Sequence, residues 1–210
     1  MAKALSKELG YVFVDSGAMY RGVTLYCMKQ GLIIDDEPDE LAILAHLNKI
    51  TLTFQFNSGR GASDLFLNGE NVEALIRTPE VAGNVSKIAA LPFVRKKLVD
   101  EQRKMGERGG IVMDGRDIGS IVFPKAELKL FVTAEPEIRA ERRLLELQQS
   151  GIETTFEEVL KNLTERDYLD SNREDSPLIQ IPDAIIIDTS HLSREEQLQM
   201  ALELVRSRMN

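Results

Sequence analysis

Between Gly110 and Gly119 the sequence reads GIVMDGRDIG. Ile111, Val112 and Met113 form a short apolar run that ends in Asp114, Gly115, Arg116 and Asp117. This pattern predicts a buried parallel strand whose C-terminal end opens into a crevice, the edge at which open α/β sheets bind ligands. Two acids, an arginine and a glycine at one strand tip are costly to bury unpartnered, and a phosphate or a polar base would partner them. A helix-capping turn held by a surface ion pair accounts for the same residues with less chemistry.

Three other stretches carry similar side chains. Tyr11 to Val14 is β-prone and runs into Asp15, Ser16, Gly17, Ala18, Met19, Tyr20 and Arg21. The plain reading is a strand, a turn and a helix start with Asp15 or Ser16 as N-cap; the functional one puts Ser16 and Arg21 in the crevice of Asp117. Arg139, Arg142 and Arg143 fall at i, i+3 and i+4 of a helix opened by Pro136, so they share a side. Arg166, Asp170 and Arg173 fall at i, i+4 and i+7 on one face of another helix. That trio is either a surface ion-pair ladder, worth roughly a few tenths of a kcal/mol, or a phosphate-and-ribose clamp on a mobile arm.

Composition narrows the choices. The 210 residues make one domain, or one domain with an inserted subdomain, long enough to bury a core. A net charge of −8 argues against a long basic groove for nucleic acid, yet leaves room for an arginine cluster around one phosphate. Cys27 is the only cysteine, which leaves no disulfide framework and fits a reducing cytoplasm. His46 and His191 are the only histidines, so a His-based triad or zinc centre is not expected. Neither a membrane-spanning apolar run nor the apolar core of a signal peptide is present in the sequence.

The elements that must position these residues follow from periodicity. Ala2, Leu5 and Leu9 predict a helix stopped by Gly10. After the polar break Asp35 to Pro38, the alternation of Ile50, Leu52, Phe54 and Phe56 predicts a half-buried antiparallel strand. A Gly-rich loop from Asn57 to Ser63 follows, and Asn68-Gly69 marks a tight turn after Leu65 and Leu67. Thr78-Pro79 opens a helix that carries Ser86 and ends before Pro92. The next helix bears Arg95, Lys96, Lys97, Arg103 and Lys104, charges that read as a solvated face. Leu128 to Val132 is a strand, Gln148 to Glu153 a loop, and Thr155 with Glu158 a capping box. Ala184 to Ile187 is the last strand; Ser193 with Glu196 caps a final amphipathic helix bearing Leu198, Ala201, Leu202 and Val205.

Four stretches, VDSGAMYRG from Val14, IRTPEVAGNVSKIAALPFVR from Ile76, DGRDIGSIVFP from Asp114 and ERDYLDSNR from Glu165, resemble the bacterial cytidylate kinases, which are P-loop nucleoside monophosphate kinases. The similarity spans essentially the whole chain, with the motifs in matching order. It implies an α/β fold, a parallel sheet flanked by helices. Residues 1–36 and 100–210 would form the core, with a helical lid over about 139–175 and an inserted antiparallel NMP-binding subdomain over 37–99. The implied reaction moves the ATP γ-phosphoryl group to CMP or dCMP, with Mg²⁺ required. By the same resemblance Ser86, Arg95 and Asp117 contact cytosine, and Arg21, Arg116 and Arg173 hold the acceptor phosphate. Ser16, Arg166 and Asp170 contact the sugar, and Tyr20 and Gly115 belong to the same substrate-binding stretches. Arg139, Arg142 and Arg143 flank the ATP lid. Arg116, Arg139, Arg143, Arg166 and Arg173 would stabilise charge on the moving phosphoryl group, while Asp15 or Asp117 could orient the attacking phosphate. The chemistry suits cytosine, whose exocyclic amine donates to a carboxylate where uracil would present a carbonyl. The resemblance also suggests a monomer without nucleic-acid or membrane partners.

One departure stands out. No G-x-x-x-x-G-K-[ST] occurs in the sequence, so the lysine and hydroxyl of a phosphate-binding loop cannot be named. Lys3 is no substitute, since it lies on the helix that should follow such a loop. The intact acceptor side favours a chain truncated at an internal methionine over a non-catalytic CMP-binding relic. The expectation is little kinase activity and marginal stability for these 210 residues. A kinase of another small acceptor, such as UMP or shikimate, is the remaining enzyme reading.

Overall fold

Gly10 ends helix α1 (Ala2–Leu9) with φ 66°, and the chain then runs into strand β1 (Val12–Asp15) and helix α2 (Ser16–Lys29). Asp15 is the N-cap of α2 and accepts the Ala18 N–H at 2.8 Å, one of the two caps the sequence allows. In this computed structural model, which describes residues 1–149 and 151–209, β2 (Ile33–Ile34), β3 (Glu37–Pro38) and α3 (Glu40–His46) follow. Strands β4 (Leu52–Asn57), β5 (Ala62–Leu67) and β6 (Glu70–Asn71) then form an antiparallel sheet in that order. Its second turn has Asn68 at φ 51° and Gly69 at φ 86°, the positive angles a tight hairpin needs.

Helices α4 (Pro79–Ala90) and α5 (Pro92–Gly106) each begin with proline, and the Thr78 hydroxyl caps the first. Strand β7 (Ile111–Asp114) carries the DGRD tip. Strand β8 (Leu130–Thr133), helices α6 (Pro136–Gln149) and α7 (Phe156–Asn172), strand β9 (Ile185–Asp188) and helix α8 (Arg194–Met209) complete the order. Both expected capping boxes are in place, on α7 through Thr155 and Glu158 and on α8 through Ser193 and Glu196. Of the loop expected over Gln148 to Glu153, Gln148 and Gln149 end α6, and Ser150 lies outside the described residues.

The parallel part consists of two pairs. β1 pairs with β7, bringing Asp15 opposite Asp114, and β8 pairs with β9, bringing Thr133 opposite Asp188. Among the described residues the two pairs are separate sheets. β7 is therefore half-buried rather than buried as its apolar run predicts, since one flank has no neighbouring strand to cover it. Phe56 also differs from expectation: it lies near the open end of β4, 73 % exposed, while Leu52 at the other end is in the core.

Packing is uneven. The large core joins α2, the antiparallel sheet, α4 and α5 through Met19, Val23, Ile43, Ile50, Leu65, Ile76, Ile88 and Leu98, all at most 1 % exposed. A Cβ on Gly22 would stand 2.8 Å from Leu65 and 2.9 Å from Leu52, so this glycine lets α2 lie directly on the sheet. The second core consists of Leu5, Ala201 and Leu202, where α1 meets α8. Val112 of β7 and Leu130 of β8 both rest on it, so these two helices, rather than a backbone ladder, span the two strand pairs.

Candidate functional site

The tips of β1 and β7 open into a hollow of about 340 Å³, within the range of small-molecule sites. Its walls include Ser16, Gly17 and Tyr20 from α2, Ser86 from α4, Arg95 from α5, the DGRD tip, and Arg166, Asp170 and Arg173 from α7. Residues separated by up to 158 positions thus converge on one space, the walls running from Asp15 to Arg173.

Close backbone approach shapes the floor. The Ser16 hydroxyl donates to the Asp114 carbonyl at 2.7 Å, tying the two strand tips together. A Cβ at Gly115 would collide with Ser16 Oγ and stand 3.0 Å from Ile118, so only glycine fits there. Asp117 begins a π-helical turn over Ile118–Val122, and its carbonyl accepts the N–H of Ile121 at 2.9 Å. Arg103 caps the far end by donating to the carbonyls of Ile121 and Val122 at 2.7 and 3.2 Å. Such turns are rare and cluster at functional sites.

One side of the hollow suits a polar ring. Arg95 donates to the Asp117 carboxylate, and the pair is buried at 2 % and 4 % side-chain exposure. Arg95 thus departs from the solvated face its helix predicts. A second nitrogen of its guanidinium donates to the Ala89 carbonyl at 3.1 Å, and the group lies 5.6 Å from the centroid of the Tyr20 ring. Burial raises the Asp117 carboxyl above its usual range despite the opposing charges of Arg95 and Arg173. Burial likewise pushes Tyr20 up to about 12, and its buried hydroxyl has no hydrogen-bond partner among the described residues. Ser86, half-buried, lines the same hollow.

The wall that α7 contributes is crowded with positive charge. Arg173 donates to Asp170 at 3.1 Å and to the Ser176 carbonyl at 2.8 Å, while Arg116 lies 3.2 Å and Arg166 3.8 Å from Asp170. Burial lowers the pKa of Arg166, and the charge of Arg116 lowers it further; burial and then Arg95 do the same to Arg173. Guanidinium groups destabilised by burial and by one another are relieved by a bound anion, and their forked donors match phosphate.

The carboxylates differ in character. Burial pushes the Asp15 carboxyl up, but Arg21 and Arg77, each 2.9 Å away, and the Ala18 N–H hold it below its ordinary value. Asp114, at the tip of β7, is exposed and lines the hollow. Burial there, and then the charge of Asp15, push it up to about 6. No group of three acidic, histidine or cysteine side chains that could hold a metal ion occurs among the described residues.

Some of the expected residues lie elsewhere. Arg21 is pinned to Asp15 beside the hollow and does not line it. The three arginines of α6 diverge. Arg139 reaches Asp167 of α7 at 2.5 Å, Arg142 donates to the Thr189 carbonyl at 2.6 Å, and Arg143 pairs with Glu146 at 3.2 Å. Lys3 lines a separate small hollow with Arg60, Glu73 and Arg77. The sequence reading missed Asp167, which lies 3.3 Å from Arg116 and holds it together with Arg139. Its signal was present, for Asp167 and Asp170 are i and i+3 on the helix that already carried the clamp.

Comparison with known proteins adds a family context. The sequence model of the family described as Cytidylate kinase matches residues 1–207. The chain is 53 % identical to the cytidylate kinase of Parabacteroides distasonis over 203 residues, 97 % of this chain and 89 % of that one. It is 55 % identical to the cytidylate kinase of Flavobacterium johnsoniae over 205 residues, 98 % and 89 % of the two chains. It is 49 % identical to that of Phocaeicola vulgatus over 210 residues, 100 % and 92 % of the two.

Proposed function

The chain belongs to the cytidylate kinase family, and from that premise we propose that its hollow holds a cytidine monophosphate as acceptor of a phosphoryl group from ATP. The observation that carries the reading is that one hollow brings the buried Asp117–Arg95 pair, Tyr20 and Ser86 together with the guanidinium groups of Arg116, Arg166 and Arg173. The Asp117 carboxylate accepts from the exocyclic amine of cytosine, Ser86 and Arg95 take N3 and O2, and uracil would turn a carbonyl on the carboxylate. Ser16, Arg166 and Asp170 take the sugar of CMP or dCMP.

In the reaction an oxygen of the acceptor phosphate attacks the γ-phosphorus, and the bond to the bridging oxygen of the leaving ADP breaks. The protein's part is positioning and charge neutralisation. Arg116 and Arg173 orient the acceptor phosphate, with Arg21 able to join them if it leaves Asp15. Arg139, on the α6–α7 arm, meets the transferring group, whereas Arg142 and Arg143 support that arm. Mg²⁺ carried by nucleotide phosphates would need only one or two carboxylates of the protein, and of those lining the hollow Asp114 would supply it, since Asp15, Asp117 and Asp170 are held in ion pairs. The ion would offset phosphate charge. The reading includes a core of 1–36 and 100–210, an inserted unit of 37–99 that supplies Ser86 and Arg95, and a monomer at work in the cytoplasm.

Calorimetry tests the acceptor side. CMP and dCMP are expected to bind, UMP at least about 100-fold more weakly, and Asp117→Asn to erase that preference, as for a site built around a substrate hydrogen bond. Equal or tighter binding of UMP overturns the assignment. With no Gly-Lys-Ser/Thr loop in the sequence, turnover by these 210 residues is expected to be low, and normal steady-state turnover would contradict that.

A further inference from the structure

Asp167 lies outside every role assigned so far. It is on α7, one turn before Asp170, with its side chain 25 % exposed. Its Oδ1 accepts from Arg116 at 3.3 Å and its Oδ2 from Arg139 at 2.5 Å. Those two arginines come from different elements, the tip of β7 and the first turn of α6, and both remain about a third exposed. Asp170 makes the deeper contacts of the same helix and is 7 % exposed.

We propose that Asp167 is a positioning residue that occupies, with its own carboxylate, the place the acceptor phosphate takes on Arg116, and that it yields this place when the nucleotide binds. The inference rests on the acceptor reading above and deepens it. A carboxylate and a phosphate offer a guanidinium the same pair of oxygen acceptors, so they compete for one donor. The two acids divide the work by burial. Asp170 is enclosed by Arg116, Arg166 and Arg173 and stays with them. Asp167 is the more exposed, so swinging it into water costs least. Because it also holds Arg139, it keeps two like charges together and aims both arginines where phosphate is to lie. Removing its charge therefore frees Arg116 for phosphate, strengthening ground-state binding while loosening the alignment.

The test is calorimetric titration of the full chain and its Asp167→Asn variant with CMP and with cytidine. A partly exposed ion pair is worth up to about 1 kcal/mol, so the variant is expected to bind CMP about fivefold more tightly. Cytidine, which lacks the phosphate, is expected to bind both proteins alike. Asp167→Glu keeps the charge and should return CMP affinity to within about twofold of the parent, which also controls for misfolding of the neutral variant. CMP affinity unchanged or reduced in Asp167→Asn, or CMP and cytidine shifted together, overturns the proposal and makes Asp167 a structural residue. If the parent binds neither CMP nor cytidine, the acceptor reading fails, and this inference with it.

Discussion

At the scale of single residues, two aspartates face each other across β1 and β7 with opposite shifts. Asp15 is held low by Arg21 and Arg77, whereas Asp114 rises to about 6 through burial and the charge of Asp15. The folded chain therefore keeps a proton on Asp114 that the unfolded chain releases near the ordinary value of 3.8. Stability attributable to this group falls as pH rises from about 4 to about 6 and stays lowered above that window. Asp114→Asn should thus raise the thermal midpoint relative to the parent at pH 7 and leave it unchanged near pH 4. Midpoints recorded from pH 4 to 8 check this, and a constant difference across the range contradicts it. The types and spacing of the DGRD tip, Ser16 and the α7 clamp were legible in the sequence, because strand tips and helix faces have fixed periods. The partner each arginine takes was not. Arg139, Arg142 and Arg143 share a helix side but reach Asp167, Thr189 and Glu146, since long side chains choose among acceptors that only the assembled fold supplies.

At the scale of elements, caps and turns were the most readable features. Gly10, Asp15, Thr78, Thr155 and Asn68-Gly69 all act as local chemistry requires. Less readable was how closely elements approach. Nothing around Gly22 announces that α2 will lie on β4 and β5, yet Leu52 and Leu65 leave no room for a methyl group. Gly22→Ala sets two effects against each other. Alanine favours a helix interior by about 1 kcal/mol, while overpacking a close-packed contact costs about 1–3 kcal/mol. Leu65 is 0 % and Leu52 6 % exposed, so neither can swing aside. Overpacking should win, lowering the thermal midpoint by about 2–4 °C per kcal/mol of net loss. An unchanged or raised midpoint would show that the leucines repack.

At the scale of the whole molecule, the two strand pairs are unequally supported. β1 and β7 adjoin the large core through α2, whereas β8 and β9 depend on Leu130 over the Leu5, Ala201 and Leu202 cluster and on the buried Ile187. Local opening follows buried apolar support. Native-state hydrogen exchange should find the β8 and β9 amides opening well before those of α2, α4 and α5, by several kcal/mol of the global stability of about 5–15 kcal/mol. Uniform protection across both pairs would mean the molecule opens only as one unit. The sequence foretold parallel strands and their polar tips, but register between strands far apart in the chain is a tertiary property and carried no local mark.

The Asp15 carboxylate closes the α2 N-terminus, pins Arg21 and anchors Arg77, which in turn holds Glu73 at 2.9 Å below the antiparallel sheet. Asp15 is thus one junction through which a tilt of that sheet reaches Arg21, beside the direct packing of α2 on the sheet at Gly22. The same carboxylate that caps α2 and anchors Arg77 is therefore the resting acid that an incoming anion must replace to gain the Arg21 guanidinium.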